Sequence, residues 1–206
     1  MDKQEYLDQL SGKTRPAKAP GKVSGILKSK FLWLGVGAVV LFITFAIIGG
    51  VISSNKSSDK TKEINLKLHL DNTVEVISDY QKNLKSSEVR SNAASLSSVL
   101  SNTSRDLGTY LEEKYNFKDK DAGKEMTEQA KQEAEKLSEE LFKAKINGML
   151  DKVFSNKMAY EISIIASEEA SIINSTSDSG LKDLLTTSYN SLDVLYNKFN
   201  DYAEAN

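Results

Sequence analysis

Cysteine is absent from this chain of 206 residues, which excludes disulfides, thiolate metal sites and cysteine nucleophiles. Proline is confined to Pro16 and Pro20, so nothing beyond Pro20 carries the strongest helix breaker. Histidine occurs once, at His69. A lone imidazole cannot build a zinc site, and it leaves acid–base chemistry to carboxylates that no motif pairs. His69 therefore reads as an ordinary helix residue. A glycine-rich phosphate loop, a GxSxG elbow and a Ser/His/Asp set are also missing. Residues 54–206 carry 20 Lys/Arg against 26 Asp/Glu, without the basic footprint of a nucleic-acid binder. The expectation is a protein that is not an enzyme, holds no cofactor or metal and binds no nucleic acid.

What the chain does have is one long apolar run. From Phe31 to Ile52 no residue is charged and Thr44 is the only polar side chain. Those 22 residues at 1.5 Å rise would span about 33 Å, enough for a hydrocarbon core of about 30 Å. A cleaved signal has a shorter apolar region and a small-x-small exit, and neither is present. Residues 1–30 carry seven Lys/Arg against three Asp/Glu, and six of those basic groups lie in the 20 residues before the run. The positive-inside preference then puts the N-terminus in the cytoplasm and the rest of the chain outside. Residues 31–53 are expected to sit in the lipid bilayer, with the basic arm resting on anionic lipid heads.

Beyond the run, apolar residues recur at alternating steps of three and four. Leu66, Leu70, Thr73, Ile77, Tyr80 and Leu84 form one stripe; Val89, Ala93, Leu96, Leu100, Thr103, Leu107 and Tyr110 form another. Leu181, Leu185, Ser188, Leu192, Leu195, Phe199 and Tyr202 form a third. The "NLKLHL" start also alternates with period two, which leaves a short strand as an alternative there. "LKSSEVR" and "STSDSGLK" each place serines and an acid before a new stripe, a helix-start signal. Two helical hairpins follow, near 64–115 and 149–204, with a charged helix between them. That helix has a narrow stripe of Met126, Ala130, Ala134, Leu137 and Leu141, and Gly148 is expected to end it. Two hairpins joined by a long crossover is the ferritin-like way to build a bundle.

The stretch "INGMLDKVFSNKMAYEISIIASEEASIINSTSDSGLKDLLTTSYNSLDVLYNKF" resembles ferritin-like helical domains of uncharacterised bacterial envelope proteins. In those domains a Gly and Asp precede a Phe and a Met, then histidines; Asp151, Phe154 and Met158 match. The second half of "SSEVRSNAASLSSVLSNTSRDL" is similar to their first-hairpin joint, and the likeness covers roughly 120 of the 206 residues. The resemblance implies a ferritin-like fold. The histidines are missing, because Ala159, Tyr160, Glu161 and Ile162 follow the Met. A di-iron site needs two Glu-x-x-His units, and this chain has none.

Asp119 and Asp121 begin like a calcium loop, but Ala130 stands where a bidentate Glu is required. Glu112-Glu113, Glu139-Glu140 and Glu168-Glu169 are adjacent pairs that read as solvated surface, with Glu169 closest to the stripe of Met158, Ile162 and Ile165. Tyr110, Tyr160, Tyr189, Tyr196 and Tyr202 are the candidate interaction face, since tyrosine suits interfaces; the plain alternative is the rim of a bundle core.

The sequence thus predicts an all-α chain with a single N-terminal transmembrane helix and an antiparallel bundle of four to five helices, ferritin-like or similar. Its parts are a largely disordered basic cytoplasmic arm (1–30), an anchor (31–53), a polar linker (54–63) and an extracytoplasmic bundle (64–206). The expected role is non-catalytic: binding, adaptor or structural work in the cell envelope, with an envelope protein as partner. The alternatives are a ligand-sensing ectodomain working with a separate transducer, and a degenerate ferritin-like metal-binding protein or enzyme.

Overall fold

The computed structural model describes residues 59–118 and 122–206. Among the described residues there are five helices and no strand: α1 (Asp59–Gln81), α2 (Ser87–Tyr115), α3 (Lys124–Ile146), α4 (Leu150–Ser175) and α5 (Ser179–Ala205). The strand alternative at "NLKLHL" is overturned, because the steps from Leu66 to Tyr80 bury a helix face. Residues 59–63 of the expected linker are also helical, and α1 starts with an acid, Asp59, in its first turn. Among the described residues no helix is long and apolar enough to cross a membrane. The arm (1–30), the anchor (31–53), residues 54–58 of the linker and the Asp119–Asp121 stretch lie outside the described residues.

The short turns make α1 antiparallel to α2, and α4 antiparallel to α5. Around the bundle α1 packs on α2, α2 on α5, α5 on α4, and α4 back on α1. The expected stripes are what these contacts bury: Leu66, Leu70, Ile77, Leu96, Leu100, Leu107, Leu185, Leu192 and Phe199 are fully enclosed. Phe154 packs against Phe199 with the rings tilted, their centroids 6.1 Å apart and planes at 60°. Both helix-start signals work as capping residues: Ser86 Oγ accepts from Val89 N at 3.3 Å, and Asp178 Oδ1 from Leu181 N at 3.1 Å.

The crossover helix α3 lies outside this ring, against α1 and α4. It is seated at its C-terminal half, where Leu137, Leu141 and Ala144 are buried and Tyr80 Oη donates to the Ser138 carbonyl at 2.7 Å. Met126, Ala130 and Ala134, at the other end of the same stripe, are only half-buried. Gly148 ends the helix at φ +71°, a left-handed conformation that glycine adopts without a Cβ clash. At this end Asp151, the first acid of α4, ties the hairpins together. Its two carboxylate oxygens accept from Lys85 N and Ser86 N, both at 2.9 Å.

Candidate functional site

His69 projects from α1 toward α4, where Glu161 and Glu168 stand seven residues, about two turns, apart on one face. The imidazole fits between them, with Nε2 3.1 Å from Glu161 Oε2 and Nδ1 3.0 Å from Glu168 Oε2. Ionised carboxylates only accept, so both ring nitrogens donate and the ring is an imidazolium. Burial alone would lower the His69 pKa; the hydrogen bonds and charges of Glu161 and Glu168 outweigh it and raise it to about 10. The three side chains expose only 17%, 16% and 26% of their surface, so solvent screens them weakly. With both nitrogens protonated, His69 has no lone pair to ligate a metal or take a proton. It is a fixed positive charge between two negative ones.

The triad forms one wall of a cleft of about 420 Å³ between α1, α3 and α4. Where the N-terminal half of α3 passes over it, the small residues Ala130 and Ala134 leave the space open. Thr73 and Val76 of α1 and Ile164 of α4 continue the lining beside the triad, and Glu133, Lys136 and Tyr160 complete it from exposed positions. Lys157 of α4 pairs with Glu140 of α3 beside them.

Two further carboxylates are enclosed elsewhere. Glu169, adjacent to Glu168, turns into the core, fully buried and with neither oxygen hydrogen-bonded. Burial pushes its pKa up to about 8; nearby Ser188 works against that rise, and the charge of Glu168 adds to it. Ser188 is itself hydrogen-bonded to Thr103 of α2 at 3.0 Å. Glu63 of α1 is fully buried too, 3.9 Å from Lys114 Nζ, and burial raises its pKa against the pull of that ammonium. The Lys114 ammonium lies over the rings of Tyr110 and Tyr115, 4.8 and 5.1 Å from their centroids.

These positions correct two expectations. Glu168-Glu169 is not a solvated pair: one carboxylate holds His69 and the other enters the core, because α4 packs on α1, α3 and α5 and has little free face. His69 is not an ordinary helix residue, because α4 brings it two partners that no local motif announced. Of the candidate tyrosines, Tyr160 stands at the cleft with 55% of its surface exposed. Tyr110 lies near the end of α2, and Tyr189, Tyr196 and Tyr202 are half-buried along α5. Among the described residues no ring contact joins any two of the five. Nor is any group of three or more His, Asp or Glu side chains among the described residues arranged to hold a metal ion.

Comparison of the chain with family models, with curated proteins and with solved structures yields no match.

Proposed function

We propose that this chain is a membrane-anchored, extracytoplasmic helical bundle that works by binding, as an adaptor or structural component of the cell envelope. In this reading residues 31–53 lie in the lipid bilayer, residues 1–30 stay on the cytoplasmic side against anionic lipid heads, and the cleft between α1, α3 and α4 receives an envelope protein. The observation that carries the binding role is the Glu161–His69–Glu168 triad, which fills a cleft wall with charge and whose imidazole, engaged at both ring nitrogens, has no lone pair left to act as a base. We read the bundle as ferritin-like, since its two antiparallel hairpins are joined by a crossover that runs the length of the ring.

Two measurements test this reading. Added protease should digest the bundle on intact cells, and a photo-crosslinking residue at Tyr160 should capture a defined partner that the same group at Val194 on α5 does not. Protection in intact cells with digestion only after lysis would overturn the topology. Equal capture from both positions would remove the cleft from the account.

A second reading, a ligand-sensing ectodomain serving a separate transducer, is favoured by α3. A ligand in the cleft would press on the half of that helix with least packing. It predicts a small molecule that raises the thermal midpoint as mass action requires. The third, a degenerate ferritin-like metal carrier or enzyme, predicts a stoichiometric metal on elemental analysis of the purified protein.

A further inference from the structure

We infer that the cleft binds an alkyl-ammonium or alkyl-guanidinium group, the head of a lysine- or arginine-type side chain, beside the Glu161–His69–Glu168 triad. The inference rests on the binding reading above and names its ligand class.

The hydrogen-bond inventory points first to a donor. Glu161 and Glu168 each give Oε2 to the imidazolium, and no hydrogen bond from a described residue reaches either Oε1. The imidazolium has spent both of its N–H groups. The triad therefore presents acceptors and no donor to the cleft, so a ligand that engages it must bring N–H groups of its own.

Charge points the same way. Two carboxylates around one imidazolium leave a unit negative charge, and Glu133 adds another from α3. Of the two lysines there, Lys157 is committed to Glu140, and Lys136 offsets Glu133, both standing on exposed positions of α3, so the lining keeps the unit negative charge of the triad. The cleft is thus short of positive charge where it is least exposed to solvent. A metal ion fits poorly, because the imidazole ring itself separates the two carboxylates. A donor group with several N–H vectors and some reach can span what a compact ion cannot.

The remaining walls suit the stem. Ile164 and the alanines of α3 give apolar contact for methylene groups, and the exposed Tyr160 adds an aromatic ring to the lining, a group that attracts cations. One cleft thereby provides for the head and the stem.

The test uses the full chain in detergent at low ionic strength, titrated calorimetrically. The probes are cadaverine, agmatine, a capped Ala-Lys-Ala peptide and the same peptide with its lysine Nε acetylated. The amine probes should bind saturably and weaken with salt, and the acetylated peptide should not bind. Glu168→Gln should weaken binding roughly tenfold, the cost of one charge-assisted hydrogen bond. Glu133→Gln, on an exposed position of α3, should weaken it a few-fold and keeps the test decisive if Glu168→Gln does not fold. Glu139→Gln, outside the cleft, should change nothing. Tighter binding of the capped peptide than of cadaverine assigns the cation to a polypeptide partner; equal binding assigns it to a free amine. Absence of binding, equal binding of the acetylated peptide, or indifference to Glu133→Gln overturns the inference. A partner crosslinked at position 160 through an acidic segment would keep the binding reading and sink this one, and amine binding without any crosslinked partner would do the reverse.

Discussion

Asp151 holds the backbone of Ser86 from 65 residues away in sequence, its Oδ2 accepting the amide at 2.9 Å while Oδ1 takes the neighbouring amide of Lys85. One carboxylate thus satisfies the turn of the first hairpin from the start of the second. The bonds are charge-assisted, so Asp151→Ala should cost about 2 kcal/mol in urea unfolding. Asp151→Asn, which retains one acceptor oxygen, should cost roughly half of that. Equal stability of all three proteins would show that the turn holds without this tie.

The His69 pKa is raised, to about 10 from an ordinary 6.5, so the folded state favours the proton. Its stabilisation is fully present below about pH 6.5 and is lost as pH rises through about 10. His69→Gln should therefore lose a few kcal/mol of unfolding free energy at pH 6 and much less at pH 10.5. Denaturant titrations at the two values measure the difference. Following the imidazole signals by NMR should give a midpoint far above neutrality.

Glu169 works in the same direction by a different route. Its pKa is raised to about 8 by burial, so the protonated carboxyl is favoured by folding and stability is lost as pH rises from about 4.5 through 8. Glu169→Gln should match the parent near pH 5 and exceed it by roughly 2–4 kcal/mol at pH 9. A variant less stable than the parent at pH 9 would mean that the carboxylate finds partners in the alkaline protein.

Gly148 has open space where a Cβ would stand, so a substitution there meets only backbone strain at φ +71°. Gly148→Ala should cost about 1 kcal/mol, and Gly148→Asn less, because asparagine tolerates the left-handed region. Thermal unfolding of the two variants against the parent checks the order.

The fold was readable wherever a local pattern determined it. The steps from Leu181 to Phe199 mark a buried face whatever that face meets, and the serine and acid before each stripe mark a helix start whatever follows. Gly148 was legible for the same reason. The site was not, because it depends on which faces of distant helices meet. His69 and its partners are 92 and 99 residues apart, and nothing near either shows that α4 turns Glu161 and Glu168 toward α1. Glu168 and Glu169 show the limit most clearly. Adjacent charges are usually solvated, but a helix packed against three others has too little free surface for both. A signal was present for Glu169, since it continues the spacing of Met158, Ile162 and Ile165 into the core.

The protons kept by His69 and Glu169 make folding itself a proton-consuming reaction near neutrality. The unfolded chain has a formal charge of −2 at pH 7, with histidine neutral and every glutamate ionised. Folding draws up to about two protons from the buffer and leaves the molecule close to electroneutral. The native protein should therefore focus at a higher pH than the isoelectric point of about 5.6 calculated from its sequence.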